Sequence, residues 1–293
     1  MLPIHILGTG AMACLWASYF TKQHSLKFIG RSLEKEKFCF TLKPQNKSIE
    51  GHLFNAKNLN SPIEHLIVAT KAFDAQSAVE SVQHCLSPNA QILLLQNGMG
   101  SQQSITQKFD HYGVYACSST EGAYKTDAHT LVHAGKGINH IGPMNDKADK
   151  SKLEQWLPES DYQWHDNIDA ILWKKLIVNG AINPLTLLYK CKNGELIKQD
   201  HMRQHMIEIC SELDLLIGKL PFKLAPAFSM AEEICQSTAN NFSSMYQDGK
   251  NNRPTEINFI TGYLANKCAE FSVPCPQNLQ ILEKVKQLNL GHQ

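Results

Sequence analysis

The chain opens on a short apolar run, 3–7, that reaches Gly8-Thr9-Gly10 and passes directly into a helical pattern over 11–22. An aliphatic run that ends on two glycines one residue apart, followed by 3.6-residue spacing, reads as strand, tight turn and helix. That order constrains the fold, because a strand feeding a helix returns to a parallel strand in the same sheet. The chain supplies such strands: the runs 26–29, 65–70, 91–96 and 114–118 read as extended, with helices over 74–85 and 101–109 between them. Strand and helix alternation with Ile-, Leu- and Val-rich runs implies a parallel sheet covered on both faces.

Two further runs, 131–133 and 138–141, are separated by Ala134-Gly135-Lys136-Gly137 and are expected to form a terminal antiparallel hairpin. From about residue 150 the pattern changes. Helical segments dominate over 151–157, 167–189, 201–219, 225–246, 254–271 and 277–289, and strand-like runs almost vanish. The expected fold is α/β: an N-terminal Rossmann-type doubly wound parallel sheet over 1–165, followed by an all-α C-terminal domain over 166–293.

With 43% hydrophobic and 19% charged residues, the chain has the composition of a globular protein. A net charge of +1 gives no reason to expect nucleic acid or an acidic membrane as partner. The N-terminus has no charged region before its glycines, so it does not read as a signal peptide. The uncharged run 176–189 is shorter than the ~20 residues a membrane span needs and contains Pro184. A cytoplasmic protein is expected. Nine cysteines, an odd number without a C-x-x-C pair, read as reduced core thiols. Two histidine pairs spaced by four, His129/His133 and His201/His205, do not converge with a third ligand, and no metal is expected.

Gly8-Thr9-Gly10-Ala11-Met12-Ala13 satisfies the dinucleotide fingerprint G-x-G-x-x-G/A in its strand–turn–helix context. Gly8 allows the tight turn, Gly10 allows backbone to approach a pyrophosphate, and the small Ala13 lets helix and strand pack closely. Free N–H groups of the helix would face the phosphates. The second strand ends Gly30-Arg31-Ser32, where an NAD site typically places an acidic residue on the ribose 2′-hydroxyl. A cation and a donor suit a 2′-phosphate instead, so NADP(H) is the expected cofactor. Two other loops leave strand ends on the same predicted edge, Ala69-Thr70-Lys71-Ala72 and Gln96-Asn97-Gly98-Met99-Gly100. Lys71 brings a cation there and Asn97 an amide. Each loop also reads as plain turn chemistry, and Arg31 as surface charge.

The segment 172–189, LWKKLIVNGAINPLTLLY, carries the strongest conflict in the chain. As a helix it places Lys175, Asn179 and Asn183 at i, i+4 and i+8, one polar stripe on an otherwise apolar cylinder. Buried amides and an ammonium need partners. Neighbouring backbone can supply them, and so can a ligand.

Several segments together resemble the ketopantoate reductase (2-dehydropantoate 2-reductase) family. They are the N-terminal glycine turn, TKA, QNGMG, IDAILWKKLIVNGAINPLTLL, NGEL, NNFSSMYQD and RPTEINFITGYL, spread from the first strand to about residue 285. The resemblance implies a Rossmann domain and a helical domain, with NADPH and ketopantoate in a cleft between them, and reduction of the ketone to (R)-pantoate in pantothenate and coenzyme A synthesis. It implies Lys175 and Glu256 as catalytic residues. Gly8, Thr9, Gly10, Ala11, Met12, Ala13, Arg31, Lys71, Asn97 and Glu256 are implied to bind cofactor. Asn97, Lys175, Asn179, Asn183, Asn193, Asn241 and Ser244 are implied to bind substrate. Two departures stand near Glu256: Asn258 where the family commonly has Asp, and Asn251-Asn252 in place of a more basic approach.

On this reading the Lys175 ammonium hydrogen-bonds the ketone oxygen and delivers its proton, while Glu256 orients the substrate hydroxyl. Asn241 and Ser244, three apart on an expected helix, would face one side. Asn193-Gly194-Glu195 reads as a helix-terminating turn, and Asp248 and Arg253 as a structural pair. The alternatives are a reductase of another branched 2-keto acid and an NADP(H)-sensing protein without turnover. A structural interaction protein leaves the buried stripe unexplained. A homodimer is compatible with the chain.

Overall fold

The computed structural model describes residues 2–20, 24–31, 36–158 and 162–288. The chain divides into two compact units, Met1–Gln96 with Ser101–Ile168, and Asn97–Gly100 with Asp169–Gln293.

The first unit is built on one sheet. Its strands are β1 (Leu2–Leu7), β2 (His24–Gly30), β3 (Glu36–Lys43), β4 (Lys47–Asn55), β5 (Ile63–Val68) and β6 (Leu86–Leu94). Next come β7 (Gly113–Ser119), β8 (Gly122–Asp127), β9 (Thr130–Gly135), β10 (Asn139–Pro143) and β11 (Gln163–Trp164). The order across the sheet is β11-β10-β7-β6-β5-β1-β2-β4-β3-β9-β8. Strands β7, β6, β5, β1, β2 and β4 form a continuous parallel block. Within it β1 pairs with β2 on one side and β5 on the other, so the chain reverses its direction of travel across the sheet at β1. In a doubly wound sheet this switch point is where a ligand meets the carboxyl ends of the strands.

Helices α1 (Ala11–Ala17), α2 (Ala72–Val82) and α3 (Ser101–Lys108) make the crossovers. One face of the sheet packs Ile4, Ile6, Phe28 and Ile67 with Cys14, Trp16 and Leu131. The other packs Leu66, Val68, Ile92 and Leu94 with Val79 and Ile105 from α2 and α3. Helix α1 also packs against β8 and β9, so the far end of the sheet curls over it. Enclosure on two sides explains why Ala13, Cys14, Leu15, Trp16 and Ala17 are all buried.

The expected strands fall on β1, β2, β5, β6 and β7. Several features differ from expectation. Residues 36–55, unassigned from sequence, form the antiparallel hairpin β3–β4 around a turn in which Asn46 takes φ 54°. Its period-two signal is weak because Gly51 holds an inward position. A Cβ there would lie 2.8 Å from the Leu26 carbonyl oxygen, so close contact with β2 excludes a side chain. The expected hairpin between 131–133 and 138–141 does not form. Instead β9 pairs antiparallel with β8 and parallel with β3, while β10 pairs antiparallel with β7. The β8–β9 turn is closed by the Asp127 carboxylate, which accepts from the His129 N–H at 2.7 Å. Residue 138 is tied to Thr120, whose N–H donates to the Ile138 carbonyl at 3.0 Å. Helix α1 ends at Ala17, earlier than expected, and Lys22 lies outside the described residues.

Among the described residues the regular elements of the second unit are helices: α5 (Asp169–Tyr189), α6 (Glu195–Lys198), α7 (Asp200–Ile217), α8 (Ala227–Ser237), α9 (Ser244–Lys250), α10 (Thr261–Glu270) and α11 (Pro276–Lys286), numbered after α4 (Lys150–Glu154) of the first unit. Helix α5 is the axis, in contact with each of α6 to α11. Leu176, Ile177, Ala181, Ile182 and Leu185 are buried, as the apolar cylinder requires. At Gly180 a Cβ would lie 2.4 Å from Leu264 Cδ1, which marks the close approach of α10. The chain leaves α5 through Lys190 at φ 54°, with the Cys191 N–H donating to the Thr186 carbonyl at 3.1 Å. This left-handed cap terminates the helix, whereas Asn193-Gly194-Glu195, expected to do so, opens α6.

Helix α7 lends two carboxylates to neighbouring helix starts. Asp214 accepts from the Ala227 N–H at 2.7 Å at the head of α8. Glu212 accepts from the N–H groups of Gln277 at 2.7 Å and Asn278 at 3.0 Å, and from Asn278 Nδ2 at 2.8 Å. Helix α11 has no cap of its own, so a buried carboxylate from another helix satisfies its first donors and complements its dipole. All nine cysteines are free. Burial pushes the Cys210, Cys235 and Cys268 thiols up to about 12, which keeps them protonated and unreactive. Among the described residues no helix is long and apolar enough to cross a membrane. Glu212→Ala is expected to lower the stability of the chain by about 2–3 kcal/mol, since it strands several buried donors at once. Urea unfolding followed by circular dichroism checks this, with Glu212→Gln retaining part of the loss.

Candidate functional site

In the first unit the expected cofactor residues converge on the carboxyl ends of β1, β2 and β5. Gly8 takes φ +107°, and a Cβ on it would sit 3.1 Å from the Ala69 carbonyl oxygen. Only glycine suits both the backbone angle and the space. The Gly8 N–H donates to Ile29 at 2.9 Å, and the Ala69 N–H to Leu7 at 2.9 Å, so the turn is tied to both neighbouring strands. Gly10 opens α1 without a side-chain cap, and nothing lies within 4 Å of where its Cβ would stand. Ala13 is fully buried. Thr9, Ala11 and Met12 complete the turn between them.

Arg31 follows the last residue of β2 and is exposed, with its guanidinium 2.8 Å from the Asp74 carboxylate. Ser32 lies outside the described residues. Lys71 caps α2 at the end of β5 and is half-buried. The Gln96 amide laces the same edge together, donating to Val68 O at 2.8 Å and Thr70 O at 3.2 Å. Gln102 Nε2 in turn donates to the Gln96 carbonyl at 3.1 Å. Two buried polar atoms at this edge, Thr70 Oγ1 and Gln96 Oε1, have no partner among the described residues. Such atoms are uncommon, because a buried polar atom without a hydrogen bond is costly. Lys125 of β8 also reaches the turn, Nζ to the Thr9 carbonyl at 3.4 Å. No local signal marks Lys125, Asp74 or Gln96, because their partners arrive through the topology of the sheet.

In the second unit Lys175, Asn179 and Asn183 lie on α5 at the expected spacing. Lys175 and Asn179 are half-buried and Asn183 is buried, so the stripe grows drier along the helix. The Asn183 backbone carbonyl accepts from Thr186 Oγ1 at 2.9 Å, and Thr186 meets Ser243 Oγ at 2.7 Å. Ser243 also accepts from the Tyr246 N–H at 3.0 Å and thereby starts α9.

This cap corrects an expectation. Residues 225–246 are not one helix: α8 ends at Ser237 and α9 begins at Ser244. Asn241 therefore lies in the intervening loop, and the helical i, i+3 argument for Asn241 and Ser244 does not hold. Both are exposed, and the buried hydroxyl is that of Ser243. With two adjacent serines the sequence does not say which one caps. The structure joins Asn193 to this loop through the Asn193 N–H on the Asn241 carbonyl at 3.0 Å and Nδ2 on Thr238 Oγ1 at 2.8 Å. Asn193 Oδ1 is buried without a partner among the described residues.

Glu256 is buried at the start of a short 3-10 turn, Ile257–Phe259, that precedes α10. The segment 254–271 is thus not one helix either. The turn carrying Asn97 belongs to this unit and docks here, with the Met99 N–H donating to the Phe259 carbonyl at 2.8 Å. Gly98 takes φ +79°, and a Cβ on it would lie 2.3 Å from the Phe259 carbonyl oxygen. Asp248, buried, pairs with Arg253 at 3.1 Å, the expected structural pair. His205 bonds the Tyr189 hydroxyl and His133 the Glu121 carboxylate, so the paired histidines serve local contacts. Among the described residues no group of His, Cys, Asp and Glu is placed to hold a metal.

The first unit is thus a switch-point sheet opened by a glycine turn, and the second a helical unit built on α5. The family description "Ketopantoate reductase PanE/ApbA" matches residues 4–146, and "Ketopantoate reductase PanE/ApbA C terminal" matches residues 167–289. The 2-dehydropantoate 2-reductase of Yersinia pestis is 32% identical over 98% of this chain and 95% of its own length. The crystal structure of a probable 2-dehydropantoate 2-reductase from Bacillus subtilis superposes with a TM-score of 0.78 at 25% identity, covering 98% of this chain and 100% of that one. A D-mandelate dehydrogenase solved with NADH and anilino(oxo)acetate shares the fold, with a TM-score of 0.84 at 21% identity over 98% of each chain. The chain is an oxidoreductase. It belongs to the ketopantoate reductase family.

Gly98→Ala is expected to undock the turn carrying Asn97, because both the backbone angle and the Phe259 contact forbid a side chain. Turnover should fall at least about tenfold, beyond any loss of fold. Steady-state rates set beside the thermal midpoint check this.

Proposed function

We propose that this protein reduces 2-dehydropantoate to (R)-pantoate with NADPH, the pathway step leading to pantothenate and coenzyme A. The observation that carries the reading is Lys175, half-buried on α5 in a segment that matches the family across its whole length. The first unit fits a dinucleotide. The open face over Gly10, the positive φ of Gly8 and the two unsatisfied atoms of Thr70 and Gln96 together suit backbone and polar contacts with such a ligand.

Gly8, Thr9, Gly10, Ala11, Met12 and Ala13 would hold the pyrophosphate, with Arg31 and Lys71 on the 2′-phosphate and Asn97 near the nicotinamide. The bound cofactor supplies a hydride for the ketone carbon. The chain's own task is the oxygen. As that carbon gains the hydride, the Lys175 ammonium hydrogen-bonds the carbonyl oxygen, stabilises its growing negative charge and gives up one proton to form the hydroxyl. Glu256 accepts from the substrate hydroxyl and orients it, and is assigned to cofactor contact as well. Asn179 and Asn183 continue the stripe, and Asn193, Asn241 and Ser244 supply amides and a hydroxyl suited to a carboxylate without adding formal charge.

The test is a steady-state assay of NADPH oxidation with ketopantoate against other branched 2-keto acids. Preference for a different acid would displace the substrate assignment. Lys175→Ala is expected to lower kcat by about 10²–10⁴-fold with NADPH affinity retained, and near-normal turnover would remove Lys175 as the acid. Glu256→Ala should act on KM for the keto acid, raising it about tenfold or more through loss of a charge-assisted hydrogen bond. An unchanged KM would end that assignment.

A further inference from the structure

We infer that Asp74 is a specificity-determining residue for the 2′ position of the dinucleotide ribose, because it holds through an ion pair the guanidinium that a 2′-phosphate would need. The inference rests on the NADP(H) reading above.

Arg31 stands at the carboxyl end of β2, one residue beyond Gly30, where a dinucleotide's adenosine ribose lies in this fold. Its Nη2 is 2.8 Å from Asp74 Oδ2. The arginine side chain is 89% exposed and the aspartate 36%, so the pair sits at the surface with the carboxylate the better anchored partner. The anchoring is local. Asp74 lies in the first turn of α2, its N–H donates to the Lys71 carbonyl at 3.0 Å, and its own carbonyl accepts from Ser77 Oγ at 3.0 Å.

A phosphate monoester carries nearly two negative charges and three acceptor oxygens, against one charge and two oxygens on Asp74. A 2′-phosphate can therefore draw Arg31 away, but it must break the pair and then lie beside a carboxylate of like sign. An unphosphorylated ribose leaves the pair intact. It also finds in Asp74 an acceptor for its 2′-hydroxyl, the role an acidic residue at the end of β2 fills in NAD sites. Asp74 thus opposes the phosphorylated cofactor and favours the plain one, narrowing a preference that Arg31 creates.

An acidic residue in a first helical turn also stabilises that helix, and this effect would change both cofactors alike. The discriminating measurement is calorimetric titration of the full chain with 2′,5′-ADP and with 5′-ADP at low and high salt. Asp74→Asn should tighten 2′,5′-ADP about threefold to fivefold at low salt and leave 5′-ADP unchanged or weaker. The gain should shrink at high salt and vanish in the Arg31→Ala background. Asp74→Ser, a second variant without the charge, should behave like Asp74→Asn. If Arg31→Ala weakens 2′,5′-ADP selectively while both Asp74 variants leave the ratio of the two affinities unchanged, the inference fails and the NADP(H) reading stands. If Arg31→Ala leaves that ratio unchanged, both fail. Parallel changes in the two affinities would assign Asp74 to helix stability alone and overturn the inference.

Discussion

A helix that is apolar on almost every side has to be wrapped, and the second unit is organised by that need. Helix α5 can be stable only where other helices remove Leu176, Ile177, Ala181, Ile182 and Leu185 from water, and α6 to α11 do so. Wrapping creates secondary demands. Gly180 must lack a side chain for α10 to approach, and Lys190 must adopt a left-handed angle for the chain to turn back. The helices packed around α5 also bury their own ends, so α7 provides Asp214 and Glu212 to first-turn donors of α8 and α11 that have no partner within their own helices. The polar stripe of Lys175, Asn179 and Asn183 interrupts this apolar surface, half-buried at Lys175 and Asn179 and buried at Asn183.

The first unit answers a different constraint. A parallel sheet must be covered on both faces, and here the helices α2 and α3 cover one while α1 covers the other. Leu153 of α4 joins α1 on that face, and at the far end of the sheet β8 and β9 close over α1. The curl carries Lys125 to the Thr9 carbonyl, and the reversal of strand order at β1 gathers Gly8, Arg31, Lys71 and Gln96 at one edge. Backbone geometry thus assembles one polar edge from residues far apart in the chain.

Legibility followed the range of the interactions. Strands β1, β2, β5, β6 and β7 carry uninterrupted aliphatic runs because both their faces are buried, and such runs are visible in a single sequence. The hairpin β3–β4 carries a weaker signal because Gly51 replaces an apolar residue at an inward position. The pairing of β9 with β8 and β3 rather than with β10 was invisible for another reason. An Asp127 turn and the tie between Thr120 and Ile138 decide it, and neither follows from periodicity. The break between α8 and α9 depends on Ser243 capping in preference to Ser244, a choice made by Thr186 from another helix.

What the sequence determined by itself was local or covalently close: the glycine turn, the aliphatic strands, the spacing of Lys175, Asn179 and Asn183, and the motifs that place the chain in its family. Those follow from φ/ψ limits and from periodicities of two and 3.6 residues, which need only neighbouring residues to express. The tertiary structure alone decided which polar groups meet: Arg31 with Asp74, Gln96 with Thr70, Asn193 with the 241 loop, the Gly98 turn with Phe259. Each contact joins segments whose separation along the chain carries no signal, and each depends on packing that brings the backbones within hydrogen-bonding distance.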